Sequence, residues 1–247
     1  MSEKFLFKRK EQAMIHPDTE LRFINPQIGY GVVATRLIPK GTITWVRDDL
    51  DRTLSPAQVE AMDSVYQNII TTYAYIDSKG DFVLCWDLAR YVNHSCEPSC
   101  RMAGYEFEVA VRDIHPGEQL TDEYGYLNIE YDFPCACDSP SCRKHVRAGD
   151  LLRYAEAWDQ ETEAPFRLIP TVTQPLWHLI REKDEVNAIL QRQLPIPSCL
   201  KHYPLLPAEE YGLLWPDVRS QNHKPARVAH DRALHSAAAP RLPLSVG

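Results

Sequence analysis

Short apolar runs broken by turn residues dominate the first half of the chain. Ile28-Gly29-Tyr30-Gly31-Val32-Val33-Ala34-Thr35 passes from a Gly-x-Gly step into a β-branched run, and Thr42-Ile43-Thr44-Trp45-Val46 follows the turn Ile38-Pro39-Lys40-Gly41. Both read as strands. Ser55-Pro56 opens a helix, with Ser55 as N-cap, Pro56 in the first turn and Val59, Met62, Ile69 and Ile70 as one apolar stripe. Residues 73–86 return to short strands on either side of Asp77-Ser78-Lys79-Gly80-Asp81. Phe107-Glu108-Val109-Ala110-Val111 alternates as a half-buried strand should, and residues 114–126 read as strand, turn, strand. Beyond Cys142 the period changes: residues 151–158 and 176–194 carry helical spacing, punctuated by Pro170 and Pro197. The pattern predicts a mainly β chain with short helices, followed by a helical C-terminal extension. There is no internal repeat.

The chain has 247 residues, 44% hydrophobic and 25% charged, enough for one sizeable core plus an appendage. No apolar run approaches the ~18 residues of a membrane helix. The first ten residues place their charges around only three apolar side chains, short of a secretory core of ~7–15. The expectation is an intracellular protein, cytoplasmic or nuclear, without membrane contact. Net charge is −7, and its distribution is uneven: residues 48–132 hold 17 acidic and 5 basic side chains. Such a surface repels phosphate backbones and attracts basic partners, so no direct nucleic-acid contact is expected. A solvated acidic face that serves solubility explains the charge equally well. Residues 218–247, rich in Ala, Pro, His and Arg, read as a disordered tail.

Six of the seven cysteines fall within residues 85–142, which without an export signal suggests a metal site more than disulfides. Cys135-Ala136-Cys137-Asp138-Ser139-Pro140-Ser141-Cys142 brings three thiols together over a chain that Pro and Ser fold back. A closed Zn²⁺ site wants four ligands. The fourth must come from elsewhere, and Cys100 is a candidate; Cys85 and Cys96 read as small buried hydrophobes. Taken singly, Gly29-Tyr30-Gly31 is a turn, Asn93-His94-Ser95 a polar bend and Tyr124 a core residue with its hydroxyl at the rim.

Their order is what carries information. Gly-x-Gly, then Asn93-His94-Ser95-Cys96-Glu97-Pro98-Ser99-Cys100, then Gly117-Glu118-Gln119-Leu120-Thr121-Asp122-Glu123-Tyr124, then Cys-x-Cys-x4-Cys, resembles the SET-domain protein-lysine methyltransferases with a post-SET zinc motif. The resemblance runs from about residue 21 to 143. It implies a fold of small curved sheets with a pseudoknot, in which S-adenosylmethionine and a target lysine enter from opposite faces. It also implies a division into a lead-in (1–20), a SET domain (21–132, variable insert about 47–72), a post-SET zinc motif (133–149), a helical extension (150–217) and the tail. By the same resemblance Gly29, Tyr30, Gly31, Asn93 and His94 bind the cofactor and Tyr124 is catalytic, with Tyr73 as a second channel tyrosine. Cys100, Cys135, Cys137 and Cys142 hold zinc, and the substrate is a basic protein such as a histone or a ribosomal protein. Asp122 departs from the family's usual Phe or Tyr at a position that affects how many methyl groups are added; it either lines the lysine channel or faces solvent. The alternative of another class is a catalytically silent SET-like module that keeps the fold and the zinc for binding alone.

Overall fold

The computed structural model describes residues 14–204; the lead-in before residue 14 and the tail at 218–247 lie outside them. In chain order the strands are β1 (Thr19–Asn25), β2 (Gly29–Ala34), β3 (Ile43–Val46) and β4 (Arg52–Leu54), then helices α1 (Pro56–Glu60) and α2 (Ser64–Tyr73). There follow β5 (Tyr75–Ile76), β6 (Phe82–Leu84), β7 (Asn93–His94), β8 (Cys100–Met102), β9 (Phe107–Ala110), β10 (Thr121–Asp122), β11 (Phe133–Pro134) and β12 (His145–Val146). Helices α3 (Asp150–Arg167) and α4 (Lys183–Leu190) close the described part. The strands form small sheets: the β1–β2 and β11–β12 hairpins, the antiparallel sheets β4-β6-β5 and β3-β9-β8, and one parallel pair, β7 with β10. The fold is mainly β with short helices, as the pattern predicts.

The insert departs from the single helix expected. Ser55 caps α1 as read, in a capping box with Gln58, and Pro56 stands in the first turn. The helix stops at Ala61, and extended Asp63 restarts the chain as α2. The amide of Gln67 donates to the carbonyls of Glu60 (3.0 Å) and Met62 (2.9 Å), satisfying groups that the break leaves open. Val59 and Ile70 from the two pieces still share one cluster with Leu54, Ile76 and Phe82.

β9 is not half-buried: all four of its residues are buried. The reason is the extension. Phe166 and Ile169, at and just beyond the end of α3, pack with Ile43, Phe107 and Val109 on one face of β3-β9-β8, joined by Ile180, Val186 and Ile189. Trp158 and Ala155, about two to three turns earlier, pack with Trp45, Met102 and Tyr126. The helix expected over 176–194 is shorter than its pattern, forming only α4 after a 3-10 turn at Trp177–Leu179. The side chain of Gln174 stitches the extension to β3, accepting from Ile43 N (2.8 Å) and donating to Gly41 O (2.8 Å). No helix among the described residues is long and apolar enough to cross a membrane.

Candidate functional site

The parallel pair β7–β10 sets Asn93 opposite Thr121 and His94 opposite Asp122, with Ser95 N donating to Asp122 O (3.0 Å). Two segments nearly thirty residues apart thus run side by side, and the side chains singled out from the sequence gather at this crossing. The amide of Asn93 donates to the carbonyl of Tyr30 (3.0 Å) and to Oε1 of Gln119 (3.0 Å). A Cβ on Gly31 would sit 2.4 Å from Gln119 Oε1 and 2.7 Å from Asn93 Nδ2, so only glycine lets the backbone of β2 approach Asn93. Gly29, at φ +80°, meets open space; its demand is conformational.

His94 joins this site to the cysteines. Its Nδ1 accepts from the backbone N–H of Tyr124 (3.2 Å), which places the ring proton on Nε2, and Nε2 lies 3.4 Å from Cys96 Sγ. The hydroxyl of Tyr124 donates to the Val92 carbonyl (2.7 Å), and its ring lies 5.4 Å from that of His94. Tyr73 sits at the end of α2 with its ring edge-on to Tyr91 (5.5 Å), one residue before that carbonyl.

Cys96, Cys135 and Cys137 offer ligand atoms within 4.8 Å of one another, with a His94 nitrogen inside the same limit. The Cys142 thiol is within hydrogen-bonding reach of the Cys135, Cys137 and Cys96 sulfurs. Cys100 does not join them. It is fully buried on β8 in a cluster with Val32, Ile38 and Leu120, its sulfur 3.6 Å from Ser99 Oγ. Burial pushes its thiol well up, as expected of an inert core cysteine. Cys96, read from the sequence as a core hydrophobe, stands where Cys100 was expected. The signal was available: Cys96 directly follows Asn93-His94-Ser95, whereas Cys100 begins an apolar strand. Cys85 is buried as read.

The four sulfurs fit a divalent soft cation. Backbone N–H groups of Cys96, Arg143 and Lys144 donate to the sulfurs of Cys137 (3.4 Å), Cys96 (3.3 Å) and Cys142 (3.4 Å). Such donors stabilise thiolates and hold them in place around a metal. Burial of Cys142 is outweighed by the Lys144 N–H and the neighbouring thiols, which bring it down to about 7.

Asp122 neither faces solvent nor stands alone. It is 3% exposed, and its carboxylate takes hydrogen bonds from the Tyr126 hydroxyl and from buried Glu108. Burial raises Asp122 to about 6 and Glu108 well above the carboxylate range, so Glu108 carries the proton that bridges them. No local pattern marks this pair, because Glu108 occupies an outward position of an alternating strand. The acidic surface is likewise thinner than the sequence suggests. Asp51, Asp77, Asp87, Glu108, Asp122 and Glu123, six of the seventeen acids in 48–132, are buried.

A SET domain family model matches residues 29–125. Those residues belong to the SET-domain family. The match spans every element of the crossing, from Gly29 through Asn93 and His94 to Tyr124. Among curated relatives, the histone-lysine N-methyltransferase trr of Drosophila melanogaster is 33% identical over 128 residues, 47% of this chain and 5% of that protein. The histone-lysine N-methyltransferase ash1 of the same species is 29% identical over 155 residues, 57% of this chain and 7% of that protein. The chain therefore spans under a tenth of the length of these relatives. Among solved structures, the methyltransferase domain of human histone-lysine N-methyltransferase SETMAR is 20% identical, covering 56% of this chain and 60% of that one at a TM-score of 0.40.

Proposed function

We propose that the chain transfers a methyl group from S-adenosylmethionine to the side-chain amine of a lysine on a basic protein, with histones first among the candidate substrates. The observation that carries this reading is the convergence of Gly31, Asn93, His94 and Tyr124 on one crossing of two segments inside a SET domain. The substrate class rests on two further supports: the relatives bear the names of histone-lysine methyltransferases, and the exposed acids of residues 48–132 complement a basic peptide.

S-adenosylmethionine supplies the methyl group from a sulfonium. The attacking lysine must be neutral, although its ordinary pKa is ~10.4. Desolvation in a closed channel and a nearby positive charge both lower it. The chain's own part is alignment and exclusion of water. In this reading Gly29, Tyr30, Gly31 and Asn93 receive the amino-acid end of the cofactor and His94 the adenine end. Tyr124, its hydroxyl fixed on the Val92 carbonyl, orients the reacting groups, and Tyr73 forms a neighbouring wall of the channel. Cys96, Cys135, Cys137 and Cys142 hold a structural Zn²⁺, which fastens the segment after Tyr124 to the Asn-His-Ser segment. Residues 21–132 act as the SET domain, 133–149 as its zinc-bearing flap, and residues 150–204 as the cover of β3-β9-β8.

The test is transfer of radiolabelled methyl from S-adenosylmethionine to a panel of histones and ribosomal proteins by the purified full chain. Label on lysine that disappears with Tyr124→Phe supports the assignment. No label on any lysine overturns it.

A further inference from the structure

Arg143 directly follows Cys142, and its main chain and side chain point to different parts of the site. Its backbone N–H donates to Cys96 Sγ (3.3 Å). Its guanidinium forms a two-pronged pair with Glu123, Nη1 to Oε2 at 2.8 Å and Nη2 to Oε1 at 2.7 Å. Nη2 also reaches Asp150 Oδ2 at the start of α3 (3.3 Å), and the group lies 5.1 Å from the ring centroid of Tyr154 and 5.8 Å from that of Trp158. Glu123 is fully buried and holds the backbone on the far side of Tyr124, accepting from Gly125 N at 2.9 Å. Trp158 presses on the same turn, since a Cβ on Gly125 would lie 2.7 Å from its ring. One residue thus touches the thiol cluster, both flanks of Tyr124 through Glu123, and the first turns of α3.

We propose that Arg143 is a positioning residue that couples occupancy of the thiol site to the placement of Tyr124. The proposal rests on the methyl-transfer reading for its catalytic half. A planar fork on a buried carboxylate fixes orientation as well as distance, and a lysine cannot reproduce it. When the four thiols are drawn onto an ion, the loop carrying Arg143 is fixed, and with it Glu123 and the turn at Tyr124. Linkage makes this reciprocal: loosening the Glu123 end must loosen the hold on the metal. Glu123 bonds to none of the four sulfurs and reaches them through Arg143.

The experiment compares the zinc-loaded full chain with Arg143→Met, Glu123→Gln and the double variant Arg143→Met/Glu123→Gln. The double variant removes both members of the two-pronged pair, and Asp150, which loses its contact with Arg143, keeps the hydrogen bond from the Arg147 N–H. Release of zinc to a colorimetric chelator is timed, and kcat and KM are measured. Coupling predicts zinc release faster by about fivefold or more in Glu123→Gln. It also predicts a double variant no worse than the worse single, because one interaction is removed twice. It predicts kcat lower by about tenfold with KM for S-adenosylmethionine within about twofold. Wild-type release rates in Glu123→Gln, or effects of the two singles that multiply in the double, overturn the coupling. An unmodified chain that methylates no lysine overturns the functional reading, while the release comparison still decides the coupling.

Discussion

The hydroxyl of Tyr124 is bound to the main-chain carbonyl of Val92 at 2.7 Å, so the phenol is oriented by backbone rather than by another side chain. A backbone acceptor cannot swing away, and the oxygen keeps its place before any substrate arrives.

Tyr124→Phe is therefore expected to leave the ring in place, retain binding of S-adenosylmethionine and lower kcat and kcat/KM together. Loss of one oriented polar contact used in the transition state typically costs about 10²–10³ in rate. Steady-state kinetics beside calorimetric cofactor binding check this. An undiminished kcat would return the silent-module reading.

Gly31→Ala should abolish cofactor binding and destabilise the domain, because the new methyl would collide with Gln119 and Asn93. Overpacking of this kind costs about 1–3 kcal/mol. Gly29→Ala meets no atom and carries only the penalty of its positive φ, roughly 1 kcal/mol. Thermal melts with and without S-adenosylhomocysteine separate the two: only Gly31→Ala should lose the ligand-induced rise in Tm.

Cys96→Ser should reduce zinc in the purified chain well below one ion per molecule, whereas Cys100→Ala should leave it at one. Metal analysis by mass spectrometry reads both. Zinc lost from Cys100→Ala and kept by Cys96→Ser would reverse the assignment of the fourth ligand.

Glu108 and Asp122 give a stability that depends on pH. Both titrate higher in the fold than in the unfolded chain, so between roughly pH 4 and 6, and above that for Glu108, the native state holds protons that the unfolded state has released. Their contribution is fully present below the unfolded pKa values and is lost as pH rises through the folded ones. Tyr126 and Glu123 face the pair, and Tyr126 stays protonated across this range. Glu108→Gln, whose amide donates to Asp122 as the protonated acid does, should flatten the decline. At pH 8 its Tm should exceed that of the unsubstituted chain by roughly 2–4 °C for each kcal/mol regained. An equal slope in both would exclude the shared proton.

Much of the site was legible because its parts are local. The strand pattern, the Ser55-Pro56 helix start and the order of the Gly-x-Gly, Asn93-His94-Ser95, Tyr124 and Cys135-x-Cys137 motifs are all written in consecutive residues. What the sequence concealed is set by packing between distant segments. The choice of Cys96 over Cys100 depends on the turn after β7 meeting the cysteine loop while β8 carries Cys100 into the core. The acid pair depends on Tyr126 and Trp158 covering the other face of that sheet, where Glu108 stands opposite Trp45 and Met102 and alternation promises a solvent side. Arg143 and Glu123 look like ordinary charges of the chain until the fold sets them face to face.

The covering of β9 by Phe166 and Ile169 also has a history in time. Strands end at residue 110, and their cover is not made until more than fifty residues later. At ~5–20 residues per second of synthesis, that sheet stands open for several seconds on each nascent chain, an apolar face with nowhere to go. The protein should lean on cellular chaperones during its birth, and its yield should respond to the speed of translation across residues 110–170 more than to substitutions at the β7–β10 crossing.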